Sequence, residues 1–234
     1  MATWSLWTGT EEVPLVLEGV WDGTAVNPVV LDGEDPVESD LPVLVDVETL
    51  YYVAQNIPVP VPQGDTVIAC LAWNEPEPIT APTGWTLVEE VSSSNARAAV
   101  YLTTGGVTGN VFTLPTALKL SAVCLGYTSA EVIASEGYVG SGPSNIRTAP
   151  AVFVPEAPAK LLRFWWDRST VTTQIVPPAE HTVVGEVYGG TTASCAVLAA
   201  EQDVSQAGTA PAADAEFNAS SGNGGGFSIV MKTG

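Results

Sequence analysis

Residues 6–19 and 20–33 repeat one 14-residue pattern, and that repeat narrows what the chain can become more than any other feature. Trp7 matches Trp21, Gly9 matches Gly23, Thr10 matches Thr24, Pro14 matches Pro28, Val16 matches Val30, Leu17 matches Leu31 and Gly19 matches Gly33. Each copy reads as a short strand, a Gly-containing turn after the Trp, and a second strand of Val and Leu entered past the Pro. The pair therefore predicts two consecutive β-hairpins. Isolated two-stranded ribbons are marginal in water. Trp4, Trp7, Trp21, Val16, Leu17, Val30 and Leu31 must then be covered by the rest of the chain or by another chain, which makes them the candidate assembly interface.

A second, longer repeat sets the expectation for the remainder. Ile79, Pro82, Thr86, Val88, Glu90 and Val91 align with Ile175, Pro178, Thr182, Val184, Glu186 and Val187. A strand ending in Trp73 precedes the first copy and one ending in Trp166 precedes the second. Ala98 to Tyr101 and Ala193 to Val197 follow, then Ser121 to Val123 and Ser228 to Val230. Two four-strand halves in one order predict a double Greek key, or jelly roll, whose halves are too intertwined to be separate domains.

Strand signals recur throughout this region: 66–73, 86–91, 96–103, 119–127, 151–154, 160–166, 182–187, 193–199 and 227–232. Residues 44–56 could hold a helical turn, but their Val and Tyr content favours strand. With 46% hydrophobic and 14% charged residues, 22 Gly and 18 Pro, the chain is globular and suited to many short strands. The expected fold class is all-β: an antiparallel β-sandwich, jelly-roll-like and internally duplicated, over residues 42–234. It is preceded by tandem hairpins over residues 1–33 and an acidic linker over 34–41. From Asp32 to Asp40 five carboxylates fall among breakers at Gly33 and Pro36, which suits an exposed linker better than an ordered calcium loop.

The net charge of −19 repels phosphate backbones and anionic lipid, so nucleic acid is excluded as a natural partner. Residues 1–7 carry no basic n-region and no apolar run reaches the length of a membrane span, so neither a Sec-type signal nor membrane insertion is expected. Cys70, Cys124 and Cys195 each lie in an apolar strand segment without CxxC spacing. Buried free thiols from a reducing cytoplasm are expected, with one disulfide plus one free thiol as the alternative.

A family resemblance rests on the Trp73-ended strand, the Pro82-to-Thr86 segment containing Gly84 and Trp85, the Ala-rich strand running into Tyr101, the strand ending at Gly126 and Tyr127, and the openings Trp7 to Thr10 and Trp21 to Thr24. Together these are similar to jelly-roll domains of minor tail and other virion proteins of phages infecting actinobacteria. The resemblance covers most of the chain, and the second repeat departs from it by placing His181 where the first has Trp85. It implies a virion structural component of the tail that is a homo-oligomer, a trimer being favoured. Its partners would be other virion proteins, with host-surface glycan as a further contact.

Chemistry-bearing residues are few. His181, the one histidine, occupies a position that holds Trp in the first repeat, so it is read as a packing residue before a catalytic base. No GxSxG, HExxH or zinc-ligand cluster is present, so no catalytic residue, cofactor or metal is assigned. Asp167, beside Trp165, Trp166 and Arg168, is the most suggestive carboxylate. With Trp85 and Tyr188 these residues form the candidate glycan-binding set, against a core Trp beside a surface Asp–Arg pair. Gly-rich 220–226 lacks the Lys of a phosphate loop and reads as a flexible loop before the last strand. The leading expectation is a non-enzymatic virion structural protein, a minor tail protein that docks through its hairpins and is assembled in the host cytoplasm. A carbohydrate-binding module or adhesin, a capsid decoration protein and, last, a hydrolase are the alternatives.

Overall fold

The computed structural model describes residues 4–7, 12–15, 41–140, 142–169, 171–190 and 194–234, the first two stretches as backbone alone. The chain divides into two units, Met1–Glu38 and Ser39–Gly234. In the first, β1 (Trp4–Trp7) pairs antiparallel with β2 (Glu12–Leu15), Trp4 opposite Leu15 and Trp7 opposite Glu12. The returning strand thus contains Pro14 instead of starting after it. Trp21, Val16, Leu17, Val30 and Leu31, the second hairpin and the acidic stretch 34–40 lie outside the described residues.

Every described element of the second unit is a strand. The first half holds β3 (Leu44–Pro58), β4 (Thr66–Trp73), β5 (Thr86–Ser92), β6 (Arg97–Thr104) and β7 (Val111–Tyr127). The second half holds β8 (Ala130–Val139), β9 (Ser144–Ala149), β10 (Val152–Val154), β11 (Ala159–Ser169), β12 (Ile175–Val176), β13 (Thr182–Tyr188), β14 (Ser194–Val204), β15 (Gly208–Ala210), β16 (Ala213–Ser221) and β17 (Gly224–Thr233). Two antiparallel five-stranded sheets result, ordered β3-β7-β4-β6-β5 and β8-β17-β11-β14-β13.

These two orders are the same order. Replacing β3, β4, β5, β6 and β7 by β8, β11, β13, β14 and β17 converts one sheet into the other. Two β-bulges recur at matched places: the register skips Val45 in β3 and Ile133 in β8, and it skips Val88 in β5 and Val184 in β13. The turn entering the repeat also recurs, with Trp85 N donating to Pro82 O at 3.3 Å and His181 N donating to Pro178 O at 3.1 Å.

The duplication is therefore wider than the short sequence repeat, but its connectivity is not that of a jelly roll. Each large sheet comes from one half of the chain, and the crossing occurs once, at Thr128 and Ser129 between β7 and β8. The halves are sequential, not interleaved. A shared core still makes them one sandwich: Ile68, Cys70, Val100, Val123 and Leu125 of the first sheet pack on Leu162, Phe164, Trp166, Val197 and Ile229 of the second. Strands such as β4 and β11 are buried on both faces, so they carry continuous apolar runs rather than alternation.

Their outer faces are covered by a flap in each half. In the first, β3 and β7 run beyond the sheet, pairing Asn56–Pro58 with Val111–Thr113, and Thr80 bridges Thr113. In the second, the corresponding strands are broken off as a separate sheet, β12-β16-β9. Ile57, Phe112 and Leu114 close the first outer core; Ala149, Ala215 and Phe217 close the second. A short ribbon, β10-β15, adds a small apolar cluster around Val152, Val154 and Leu161.

The Gly-rich run does not form a flexible loop. Gly224, Gly225 and Gly226 are buried strand residues of β17, where a Cβ on Gly226 would stand 2.8 Å from Ala149 Cα, Phe164 O and Thr148 O. Close backbone approach between sheet and flap is what these positions need. All three thiols are free and buried, and Cys70 and Cys124, though on adjacent strands, face opposite sides of their sheet.

Candidate functional site

The duplication supplies an internal control. Cys70 lies opposite Val123 as Phe164 lies opposite Phe227, so the outward row Val67, Ala69, Leu71 and Trp73 of β4 corresponds to Leu161, Arg163, Trp165 and Asp167 of β11. Ile57, opposite Phe112, corresponds to Arg147, opposite Ala215. Leu120, opposite Trp73, corresponds to Gly224, opposite Asp167. The outer layer of the first half is apolar, whereas the same positions of the second half hold two arginines, an aspartate and, in place of Trp85, the chain's one histidine. Buried ionisable groups cost folding free energy unless they are paired, so the exchange marks the second outer layer as the candidate site.

One half of this layer centres on Asp167, which is 0% exposed. Arg147 donates to its Oδ1 from Nε at 2.9 Å and from a terminal nitrogen at 2.7 Å, and the Ser221 hydroxyl donates to the same oxygen at 2.6 Å. Oδ2 accepts from Thr172 at 3.2 Å. Arg147 also donates to the Ser221 carbonyl at 2.7 Å and the Ile146 carbonyl at 3.2 Å. Burial nevertheless holds the Asp167 carboxyl above the usual aspartate range, against the pull of Ser221, Arg147 and Thr172. Gly224 leaves the room for this pair, since a Cβ there would overlap Arg147 Nε.

The other half centres on Arg163. Its guanidinium donates to Pro211 O and, at 3.1 Å, to His181 Nε2, while Trp165 lies edge-on to the imidazole at 5.6 Å and donates from its indole to Ala213 O at 3.0 Å. Because Arg can only donate, His181 Nε2 is the acceptor and its proton sits on Nδ1. Among the described residues Nδ1 and Arg163 Nε have no hydrogen-bond partner, although the partly exposed Glu180 carboxylate stands 3.7 Å from Nδ1. Burial, and then the Arg163 charge, lower the His181 pKa from its ordinary value; burial takes Arg163 down to about 10. The Ser221–Asp167 bond and the Arg163–His181 bond are separate, so Ser, His and Asp do not line up as a proton relay. The arrangement holds charge and fixes the flap.

A third polar group ties the two large sheets together. Lys160 reaches Glu201 and Asp203, each at 3.0 Å, and Tyr127 of the first sheet donates to the other Glu201 oxygen at 3.0 Å. Burial pulls the Lys160 pKa down, but the two carboxylates more than offset it and the net shift is upward.

The candidate glycan-binding set is corrected by this geometry. Trp165 and Trp166 are 0% exposed and Trp85 is 8% exposed, its indole donating to Gly109 O at 2.9 Å, so none offers a ring face to a sugar. Asp167 is paired with Arg147 inside the protein, not with Arg168 at the surface. Tyr188 is half-buried, its hydroxyl donating to Glu186 at 2.7 Å. Strand signals at 160–166 located these Trp residues without telling which face is covered, because the covering flap comes from residues 144–149 and 213–221. Sequence reasoning passed over Arg147, Arg163, Thr172 and Ser221. Setting the strand end Trp73 against Trp166 is one residue out of register with the structure, which sets Trp73 against Asp167 and Ala69 against Arg163, so the sequence repeat alone did not expose the exchange. Of the assembly residues, Trp4 and Trp7 lie in β1 and the others fall outside the described residues. Among the described residues no group of three or more His, Cys, Asp or Glu is placed to hold a metal ion.

No family model, no curated protein and no solved structure matches the chain.

Proposed function

We propose that the chain is a structural protein of a bacteriophage virion, in the first place a minor tail protein, which docks through its N-terminal hairpins and projects the duplicated sandwich. The observation that carries this reading is the division of the chain into a small unit, Met1–Glu38, with a two-stranded ribbon, and a large sandwich with its own core. A ribbon of that size gains stability from a surface to lie on, and its Trp-bearing repeat is suited to a neighbouring virion protein or to further copies of the chain. The acidic composition agrees with a protein that must remain soluble at high concentration before assembly. Homo-oligomerisation, with a trimer favoured, and assembly in the host cytoplasm belong to the same proposal.

Removal of residues 1–40 tests it. The truncated protein is expected to melt cooperatively near the temperature of the full chain and to be missing from purified particles. Incorporation of the truncated protein at the full-length level would refute the docking role.

A further inference from the structure

We propose that Arg163 and His181 form an acid-sensitive latch that holds the β9-β16-β12 flap on the second sheet, so that mild acid loosens the second half of the sandwich and leaves the first half closed. The flap is fastened to β11 by two bonds at the entry to β16: Arg163 to Pro211 O and Trp165 to Ala213 O. Arg163 is kept in place by the acceptor lone pair of His181 Nε2, and that lone pair exists only while the imidazole is neutral. Protonation sets an N–H against an N–H across 3.1 Å and brings a second positive charge beside a guanidinium that is itself 2% exposed.

Little nearby can absorb that charge. On β11 the next ionisable group along the same face is Asp167, already engaged by Arg147. The residues of β14 and β16 in this core are Ala196, Leu198, Ala200, Ala213, Ala215 and Phe217, and β12 supplies Ile175; none is ionisable. Among the described residues Glu180, 3.7 Å from Nδ1, is the carboxylate that acts on the imidazole, and it is more than half exposed. The first half contains no such device, because Trp85 and Ala69 occupy the corresponding places and Trp85 bonds to a backbone carbonyl that acid does not alter.

The sign follows from linkage. A histidine that is buried neutral takes up its proton less readily folded than unfolded, so stability is full above the unfolded value and falls as pH drops below about 6.5. Between the unfolded and the folded values the closed flap loses up to about tenfold in its closing constant per pH unit for one proton, and below the folded value the loss levels off.

The test uses the full chain. With one histidine, the imidazole Cε1–H resonance titrates alone in NMR, and amide exchange, corrected for its intrinsic pH dependence, follows each flap separately. The expected result is a midpoint below the ordinary 6.5, with exchange over 144–149 and 213–221 rising severalfold from about pH 7.5 to about pH 5 while 56–58 and 111–114 stay protected. His181→Gln, which keeps an acceptor for Arg163 and cannot titrate, should abolish the rise. A midpoint at or above 6.5, or equal responses of the two flaps, overturns the latch, as does an undiminished rise in the Gln variant. Should that variant fail to fold, the comparison of the two flaps in the unsubstituted protein decides.

Discussion

Replacing Asp167 by Asn removes the one charge that, among the described residues, pairs with Arg147. The carboxylate is 0% exposed and Oδ1 alone accepts three bonds, two from Arg147 and one from Ser221. An Asn retains one acceptor oxygen but turns an NH2 towards either Arg147 or Thr172, and it leaves the guanidinium charge buried. Breaking a buried pair from one side costs about 3–5 kcal/mol. At about 2–4 °C per kcal/mol for a domain of this size, the melting temperature should fall by about 6–20 °C. The pair itself is worth far less than this loss. Burial raises the Asp167 pKa despite its three partners, so ionisation is resisted in the folded state. Its contribution to stability is accordingly greatest below the unfolded aspartate value and declines as pH rises through the folded one. Arg147→Met with Asp167→Leu, which removes both charges at similar volume, should then lie within about 1–2 kcal/mol of the parent or above it. Urea unfolding at constant m-value, run as a double-mutant cycle, measures both quantities. A loss under about 1 kcal/mol for Asp167→Asn, or a double variant as unstable as the sum of the singles, would refute the account of Asp167 as a counter-charge sealed beneath the flap.

Two further outcomes follow from packing. Gly226→Ala places a Cβ 2.8 Å from backbone atoms of Ala149, Phe164 and Thr148, none of which can rotate away, and should cost at least about 1–3 kcal/mol. Gly222→Ala, with open space around it, should stay within about 0.5 kcal/mol; equal effects in urea unfolding would show that the run is a loose loop after all. Burial raises the pKa of the Cys70, Cys124 and Cys195 thiols, so a disulfide reagent should label none of them in the native protein and all 3 in denaturant, and stoichiometric native labelling would contradict the core assignment.

Strand positions were legible where both faces are apolar, because β4, β6, β11 and β14 carry Val, Leu, Ile and aromatic runs too continuous for any other reading. Less was legible at the edges and in the flap. In β16 the inward residues are Ala213, Ala215 and Phe217, alternating with Asp214, Glu216 and Asn218, and alanine gives that period little contrast. Edge strands β3 and β8 occupy matched positions with matched bulges yet share little sequence, since an edge needs a register more than particular side chains. The duplication of the two halves could be read from the sequence, but the pairing order and the assignment of each half to its own sheet could not. That choice depends on which strands pair across long separations, as when Thr66 finds Tyr127. Glycan contact through Trp165 and Trp166 failed for the same reason: Trp165 lies under the flap and Trp166 in the core between the sheets, and neither cover shows in the sequence of β11 itself.

The asymmetry between the halves is itself a physical argument about where selection beyond folding has acted. A duplicated sandwich begins with two equivalent outer layers, and for stability alone the apolar version suffices, as Ile57, Ala69, Trp73 and Trp85 demonstrate in the first half. Arginine and aspartate in the same frame bring desolvation costs that a well-packed hydrophobic set avoids. They also bring a requirement for one orientation, because Arg147 must meet Asp167, Ser221 and the Ile146 carbonyl together, whereas alkyl groups tolerate sliding. The flap they secure has become a sheet of its own in the second half, detached from the strands that continue unbroken in the first. Side-chain bonds from Arg147 and Asp167 thus hold the second flap to its sheet, where in the first half the strands of the sheet themselves run on into the flap.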